Sequence, residues 1–411
     1  MKKNVIQYLA GRLIPAIVTV SLIVLAIHYF GPVSYGRLTL LYYTALICIT
    51  LSFHWVQVSI VGFLRGIQKT SEIIISRFFF LTILSALASG LLMGAVGHFY
   101  FHLSWFLLAL LVLYTFLSHF YLFHLAIFQS FHCTTRVAIL EGSTQILVIL
   151  VFVAGIFIFH WQLSALFFGS FIVGYVGMLI LRWLIRIDRL YEIDLKHFYW
   201  DSRFTSKALK FSFSVTLWLL FSYILISADR FILAKYLGFH EMGKYAAFKD
   251  LVYQAIFFVG FPLYVSYQTK IVDLWNAKRK EEAWIAIKEA LSFEILIFIV
   301  VFIIFMVFKS YFFTEILKIP EIKSWIIYLP LLLAAFLWQS TLLLQRFLEL
   351  FYRPSYLAIA LLATIIVNIS LNLIFVPIYG IMASSVIMLI STIIYISVIL
   401  VIAIRERKRL F

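Results

Sequence analysis

Long apolar stretches, each close to the length that crosses a lipid bilayer, dominate the chain. A helix needs about 20 apolar residues to span the hydrocarbon core. Stretches of that size follow one another with short polar connections, near residues 9–30, 38–60, 78–98, 105–128, 137–160, 163–181, 211–228, 244–267, 291–313, 324–344, 355–375 and 381–404. Because backbone polar groups inside a bilayer have to be satisfied within their own segment, these stretches predict about twelve transmembrane helices.

Composition supports an all-α integral membrane protein and excludes other classes. The 411 residues are 64% hydrophobic and 12% charged, against roughly 25% charged in a soluble domain. The net charge of +15 does not indicate nucleic-acid binding, because the basic residues lie in short loops and do not form a basic folded face. Cys48 and Cys133 have no pairing or metal-ligand spacing.

The most basic polar segment, Arg182–Lys210, lies in the middle of the chain and contains Arg182, Arg186, Arg189, Lys196, Arg203, Lys207 and Lys210. Segments this basic stay on the cytoplasmic side of the membrane. We therefore predict a six-helix lobe at 1–181, a cytoplasmic connector at 182–210, a second six-helix lobe at 211–404 and a basic cytoplasmic tail at 405–411.

Orientation follows from the same rule. With the N-terminus in the cytoplasm and sides alternating after each span, most of the 33 Lys and Arg residues fall inside. Both termini are therefore predicted to be cytoplasmic. Lys2 and Lys3 precede the apolar run Leu13–Phe30, which is long and lacks a small-residue cleavage site, so we interpret it as a retained first helix.

A short pattern recurs in the two halves. Tyr29, Gly31, Gly36 and Arg37 are matched by Tyr236, Gly238, Gly243 and Lys244 at an offset of 207 residues. Each copy follows the first span of its half, where a tight turn requires glycine at a positive φ. Because six spans separate the copies, the pattern predicts parallel repeats, an organisation found in transporters.

Two motifs resemble the polysaccharide branch of the multidrug/oligosaccharidyl-lipid/polysaccharide exporter superfamily, the Wzx-type O-antigen flippases. Gly31-Pro-Val-Ser-Tyr-Gly36 resembles the family's Leu-Gly-Pro-x-x-Tyr-Gly turn. The segment from Ala228-Asp-Arg-Phe-Ile-Leu to Gly243-Lys-Tyr-Ala-Ala is similar to its Asp-Arg-x-x-Leu and Gly-x-Tyr-Ala elements. Phe30 and Ala234 replace the more common Leu and Gly of the family.

The resemblance implies a MATE-like architecture and a flippase function. The expected cargo is a polyprenyl-pyrophosphate-linked oligosaccharide, an O-antigen or capsule repeat unit, moved to the outer leaflet of the bacterial inner membrane by alternating access. Expected partners are that lipid, membrane lipids and polysaccharide polymerase machinery, with no nucleic acid. No cofactor is expected beyond a coupling proton or sodium ion. The alternatives are an O-antigen polymerase or ligase, which usually needs a larger outer loop, and a cation-coupled drug exporter, which would favour an acidic cavity.

Charged side chains at bilayer depth are costly and usually face a cavity or a partner. The resemblance implies a cationic lumen, and the candidates for pyrophosphate binding are Arg12, Arg65, Arg230 and Lys249. Basic groups neutralise phosphate oxygens well in a poorly hydrated cavity. Snorkelling to the headgroups is the alternative for Arg12.

The acidic residues in the predicted spans are interpreted separately from the basic ones. Glu141, Asp250 and Glu294 are candidates for a coupling ion, and protonated glutamates in a helix interface are the alternative for Glu141 and Glu294. Asp229 and Asp250 could instead form ion pairs that join the seventh and eighth spans. Three histidines, His54, His119 and His124, are interpreted as packing or interfacial residues and not as ligands. Ser212, Thr216 and Ser222 share a stripe with Asp229 that predicts either a lumen-facing helix or hydroxyls bonded to their own helix.

Overall fold

The computed structural model describes residues 2–64, 71–131, 133–159, 161–184, 193–316, 325–350 and 354–408, and these residues are almost entirely helical. The α-helices are α1 (Lys2–Leu64), α2 (Ser71–Phe99), α3 (Trp105–Ser130), α4 (Thr134–Ala154), α5 (Leu163–Leu184), α6 (Ser202–Asn276), α7 (Lys280–Tyr311), α8 (Trp325–Leu350), α9 (Pro354–Tyr379) and α10 (Ile381–Lys408). Short π-helical turns follow α4 at Gly155–Phe159 and α7 at Phe312–Ile316, and a 3₁₀ turn occupies Leu195–His197. The predicted all-α class is confirmed.

Two of these helices are too long to cross a bilayer once. The 63 residues of α1 and the 75 residues of α6 would extend about 95 and 110 Å at roughly 1.5 Å per residue, against a hydrocarbon core of about 30 Å. Each contains one glycine with non-helical backbone angles, Gly31 in α1 and Gly238 in α6. Each helix therefore contributes two of the predicted spans.

The helices identify a multi-pass membrane protein. In the part of the chain that the structure describes, 10 helices are long and apolar enough to cross a membrane. Many large apolar side chains point outward, among them Leu91, Phe157 and Val307. Such exposure is favourable in lipid and unfavourable in water, so these faces are expected to contact the acyl chains.

By its contacts the chain divides into two compact units. The first contains Met1–Val18 and Leu41–Tyr223, and the second contains Thr19–Leu40 and Ile224–Phe411. Both glycine turns therefore belong to the second unit. The lobe boundaries expected from the sequence, at residues 181 and 211, stay a prediction.

Small residues let helices approach closely in the first unit. Gly90 and Gly94 of α2 lie opposite Val112 of α3, and a Cβ on Gly90 would be 3.3 Å from the Val112 side chain. Ala86, one turn earlier, is fully buried. This small-residue face packs α2 on α3, as such faces commonly do in membrane helices.

The second unit is packed by aromatic rings. Phe248 of α6 contacts Tyr328 of α8 with ring centroids 4.1 Å apart, and Phe313 completes the cluster. Trp338 of α8 stacks on Tyr395 of α10. These contacts join α8 to α6 on one side and to α10 on the other.

Candidate functional site

Two adjacent ion pairs join the two parts of α6 on either side of Gly238. The Lys249 ammonium lies 2.5 Å from Asp229 Oδ2, and the Arg230 guanidinium contacts both Asp250 oxygens at 2.5 and 2.9 Å. Each part contributes one acid and one base in opposite order, so the four side chains sum to zero charge. Their neighbours on the helix are apolar, and pairing is what makes four charges tolerable at this depth.

Hydroxyl and carbonyl groups form further hydrogen bonds with the two ion pairs. The Tyr245 hydroxyl donates to Asp229 Oδ2 at 2.6 Å, and the Lys249 ammonium also donates to the Ile226 carbonyl at 2.8 Å. The Tyr35 hydroxyl of α1 donates to Asp250 Oδ2 at 2.7 Å. Asp250 therefore links the end of the first glycine turn to the helix after the second.

The side chains of these ion pairs are largely buried in the observed conformation, which limits what they can bind. Asp229 and Arg230 are 0% exposed and Lys249 is 1% exposed. The cations face carboxylates, and phosphate binding by Arg230 or Lys249 would require these pairs to open. Their assignment as pyrophosphate ligands stays a prediction, as does ion coupling by Asp250. The ion pairs considered for Asp229 and Asp250 are present.

The side chains of the other two predicted cations, Arg12 and Arg65, are not among the described residues. Arg12 belongs to the helical backbone of α1, but its side chain is outside the described residues, and Arg65 lies in the gap between α1 and α2. Glu141 is buried in α4 at 7% exposure, and Glu294 is buried in α7 at 3%. Their coupling roles stay predictions.

The glycine turns have the conformation that the repeat predicts. Gly31 has φ 76° and ψ 171°, and Gly238 has φ 80° and ψ 173°. These nearly identical angles are readily adopted only by glycine. Gly36 has a different role, because a Cβ there would lie 2.8 Å from the Phe239 carbonyl oxygen. The two repeats therefore contact each other directly through their backbones.

The histidines and the polar stripe of α6 have local partners. His119 Nδ1 lies 2.6 Å from the Thr115 carbonyl oxygen, and its Nε2 lies 3.1 Å from the Ser52 hydroxyl. The hydroxyls of Ser212 and Ser222 donate to carbonyls one turn earlier on their own helix. These two serines therefore follow the self-bonded alternative for the stripe.

His54 is the exception, because it lies at a cavity of about 390 Å³ in the first unit. Its Nδ1 lies 3.4 Å from the Thr216 hydroxyl. Helices α1, α3, α4, α5 and α6 form the wall, which consists of Tyr42, Leu46, Ile49, Thr50, Phe53, His54, Gln57, Tyr114, Ser118, Tyr121, Leu122, Gln145, Phe171, Tyr175, Leu219 and Tyr223. None of these described lining residues is an aspartate, glutamate, lysine or arginine.

The lining combines ring faces with uncharged hydrogen-bonding groups. The Tyr175 ring contacts both Tyr121, at a centroid distance of 4.7 Å, and Tyr114, at 6.0 Å. Gln145 Oε1 is buried and has no hydrogen-bond partner among the described residues. A neutral ligand with hydroxyl groups could supply the missing donor.

Sequence reasoning did not find this cavity. The available signal was the spacing of Tyr114, Ser118 and Tyr121, which places all three on one face of α3. With 23 tyrosines in the chain, such spacing alone identifies no site.

Comparisons with known proteins define the fold. No protein-family profile matches the chain, and no curated protein matches it. A multidrug resistance MATE family transporter of the MOP superfamily in an outward-facing conformation aligns with a TM-score of 0.68 and 13% identity, over 98% of this chain and 94% of that one. A Vibrio cholerae MATE transporter aligns with a TM-score of 0.66 and 13% identity over 100% and 97% of the chains.

A third solved structure carries a different pocket on the same fold. A MOP superfamily transporter from Pyrococcus furiosus, described as having a binding pocket of reverse polarity, aligns with a TM-score of 0.60 and 14% identity over 98% and 94% of the chains. At these identities the comparisons establish architecture. The chain has the MATE-like fold that its sequence predicts.

Proposed function

We propose that this protein is a flippase of the bacterial inner membrane. It moves a polyprenyl-pyrophosphate-linked oligosaccharide from the inner to the outer leaflet by exposing its cavity first to the cytoplasm and then to the opposite side. The MATE-like fold supports transport, since the solved structures that share it include MATE transporters. The chemistry of the cavity supports the choice of cargo.

The uncharged, tyrosine-rich cavity carries this proposal. A sugar ring presents apolar C–H faces and a rim of hydroxyls. Tyrosine offers the matching pair of an apolar ring and a polar tip. Side chains such as Gln57, Gln145 and Thr50 can both donate and accept hydrogen bonds. At about 390 Å³, the cavity is near the lower end of the roughly 300–1,000 Å³ of small-molecule sites, which suits a monosaccharide or disaccharide portion.

The pyrophosphate requires cations elsewhere. We assign it to the basic residues Arg12, Arg65, Arg230 and Lys249, of which the last two would exchange their carboxylate partners for phosphate oxygens. A guanidinium binds carboxylate and phosphate with the same two-pronged geometry, so Arg230 is suited to that exchange. The isoprenoid tail remains in the lipid throughout.

A cation-coupled drug exporter is the second candidate, because a multidrug transporter has this fold. Aromatic faces attract organic cations. However, a buried cation is normally accompanied by an acid, and the described lining of the cavity contains none. A polymerase or ligase fits less well, because the described connections between helices, such as residues 100–104, are short.

The test is deletion of the gene followed by extraction of lipid-linked saccharides. A membrane-impermeant glycan-oxidising reagent applied to intact spheroplasts reports the leaflet in which they reside. Accumulation of protected repeat units inside supports the flippase. Oxidisable single units on the outer face indicate a polymerase, and unchanged lipid-linked sugars with altered drug sensitivity indicate the exporter.

A further inference from the structure

Helix α7 contacts the rest of the second unit through one narrow face. Its buried residues are Ala283, Ala286, Ile287, Ala290 and Glu294, which share one face of the helix. Large apolar residues on its other faces, such as Leu296 at 57% and Val307 at 69%, are exposed. The alanines allow close approach to neighbouring helices. Glu294 is therefore an acid on the face that holds α7 in place.

The Glu294 carboxyl faces a polar side chain across the helix interface. That side chain is Ser340 of α8, whose hydroxyl donates to the Phe336 carbonyl oxygen at 3.2 Å. Glu294 Oε2 has no hydrogen-bond partner among the residues that the structure describes. The Phe298 and Phe336 rings stack one turn away at a centroid distance of 4.2 Å, so the surroundings are largely apolar.

Charged groups on the neighbouring helices are engaged elsewhere. Lys270 of α6 pairs with Glu289 at 2.8 Å, and Arg346 of α8 pairs with Glu349 on its own helix. Other titratable groups on these elements include Tyr264, which accepts a hydrogen bond from Arg346, and Tyr267, whose ring lies against Phe293. Asp273 near the end of α6 and Glu315 in the turn after α7 are two more. None of these interactions places a cation on Glu294 in the described part of the unit.

An ionised carboxylate without a cation is strongly disfavoured at bilayer depth. Ser340 accommodates both forms. When Glu294 is protonated, its O–H can donate to Ser340, whose own proton then goes to the Phe336 carbonyl. When Glu294 is ionised, the Ser340 O–H can turn to the carboxylate. Glu294 also lies less than two turns from the charged Lys288 and Glu289, near the end of the apolar run.

We propose that Glu294 is a proton-binding site between α7 and α8, and that its proton is the coupling ion of transport. The first statement concerns the helix interface alone, and the second rests on the proposed function. Loss of the proton places a charge on the buried face of α7 and favours separation of that face from α8. Proton binding therefore selects between two packings of α7, as coupling requires.

Infrared difference spectroscopy on the full chain in lipid nanodiscs tests proton binding without any substrate. A pH titration should show the C=O band of a buried protonated carboxyl, and Glu294→Gln should remove it. Glu289→Gln, which alters an exposed acid of the same helix, should retain it, and Ser340→Ala should shift its frequency because one hydrogen bond is lost. Identical titrations of the wild type and Glu294→Gln would overturn the site.

Translocation of lipid-linked oligosaccharide into proteoliposomes then tests coupling. A pH gradient should accelerate wild-type transport at least severalfold and leave Glu294→Gln unaffected, with Glu289→Gln behaving as the wild type. If Glu294→Gln loses the infrared band yet keeps the response to the gradient, the proton is structural and coupling is refuted. If the wild type moves no oligosaccharide while the band remains, the proposed function fails and the proton site survives.

Discussion

Gly243 lies directly against the backbone of Pro32, and a Cβ on Gly243 would be 1.9 Å from the Pro32 carbonyl oxygen and 2.6 Å from its carbonyl carbon. In the equivalent contact the two repeats exchange roles, and Gly36, 207 positions before Gly243, lies against Phe239, 207 positions after Pro32. Each repeat thus presents a carbonyl to the glycine of the other. The approach leaves no room for a side chain on either glycine.

Gly243→Ala is expected to destabilise the protein strongly. Alanine normally favours a helix over glycine by about 1 kcal/mol, but here its methyl would collide with backbone, which cannot rotate away as a side chain can. The net cost should reach or exceed the upper end of the roughly 1–3 kcal/mol typical of overpacking. Thermal unfolding in detergent should show a lowered midpoint. Gly169→Ala is the matched control, because its Cβ would lie 3.7 Å from Trp161, and an equal loss in both variants would contradict the clash.

The sequence predicted the two glycine turns but not the contact between the repeats. A positive φ is a local requirement, so the recurrence of glycine at 31 and 238 could be interpreted from the chain alone. The contact between Gly243 and Pro32 depends on how the repeats meet in space, and no local rule contains that information. The same glycine spacing would fit two separate turns.

The start of α6 should depend on acid through Asp201, which precedes the membrane-spanning helix. The Phe204 amide donates to its carboxylate at 3.0 Å, Arg77 lies at 2.9 Å, and the Arg203 amide donates at 3.0 Å. The Phe204 hydrogen bond, followed by Arg77 and the Arg203 hydrogen bond, lowers the pKa of Asp201 below its usual value. A lowered pKa means that the stabilisation is complete above the unfolded pKa of about 3.9 and is lost as pH falls through the folded value.

Amide hydrogen exchange measures this effect, once corrected for the intrinsic pH dependence. Protection of the Phe204 amide should decline below pH of about 4 in the wild type. Asp201→Asn keeps a cap but has no charge to lose, so its protection should be lower at neutral pH and independent of acid. A wild-type profile as flat as that of Asp201→Asn would contradict the role of the charge.

The ion pairs could be predicted in part from the sequence, and the cavity could not. Charges in the seventh and eighth spans are conspicuous because they are costly there, so ion pairing could be expected for Asp229 and Asp250. With two acids and two bases at adjacent positions, the identity of each pair was open. The cavity was not foreseen, because tyrosine, glutamine and serine occur throughout the chain and only the fold brings Tyr114, Gln145 and Tyr175 together.

Gln145→Leu should lower the rate of transport without lowering the stability of the protein. Gln145 Oε1 is buried without a hydrogen-bond partner among the described residues, and replacing an unsatisfied polar group by an apolar one of similar shape is commonly neutral or stabilising. The thermal midpoint should therefore hold or rise. Translocation of the oligosaccharide should fall about tenfold, the effect of losing one hydrogen bond to the cargo of about 1.4 kcal/mol.

The control for this variant is Gln162→Leu in the exposed turn before α5, which should change neither property. Unchanged translocation by Gln145→Leu would argue against sugar binding in the cavity. A fall in both the thermal midpoint and translocation would mean that Gln145 supports the fold and does not contact cargo.

The pair of Asp229 and Lys249 should behave as a unit in a double-mutant cycle. Asp229→Asn leaves a buried ammonium and Lys249→Met leaves a buried carboxylate, so each should lower the free energy of unfolding by roughly 3–5 kcal/mol. The combined variant removes both charges and should recover much of that loss. The exposed pair Lys270 and Glu289, with side chains 51% and 45% exposed, is the control and should contribute at most about 1 kcal/mol.

The combined variant also decides whether Lys249 binds cargo. It carries no charge at either position, so a folded protein that still translocates oligosaccharide at the wild-type rate would exclude Lys249 as a pyrophosphate ligand. The expected outcome is loss of translocation with stability preserved. In the combined variant the pyrophosphate can no longer bind Lys249, which Asp229 holds in position in the wild type. Single variants cannot make this distinction, since an uncompensated buried charge impairs folding and transport together.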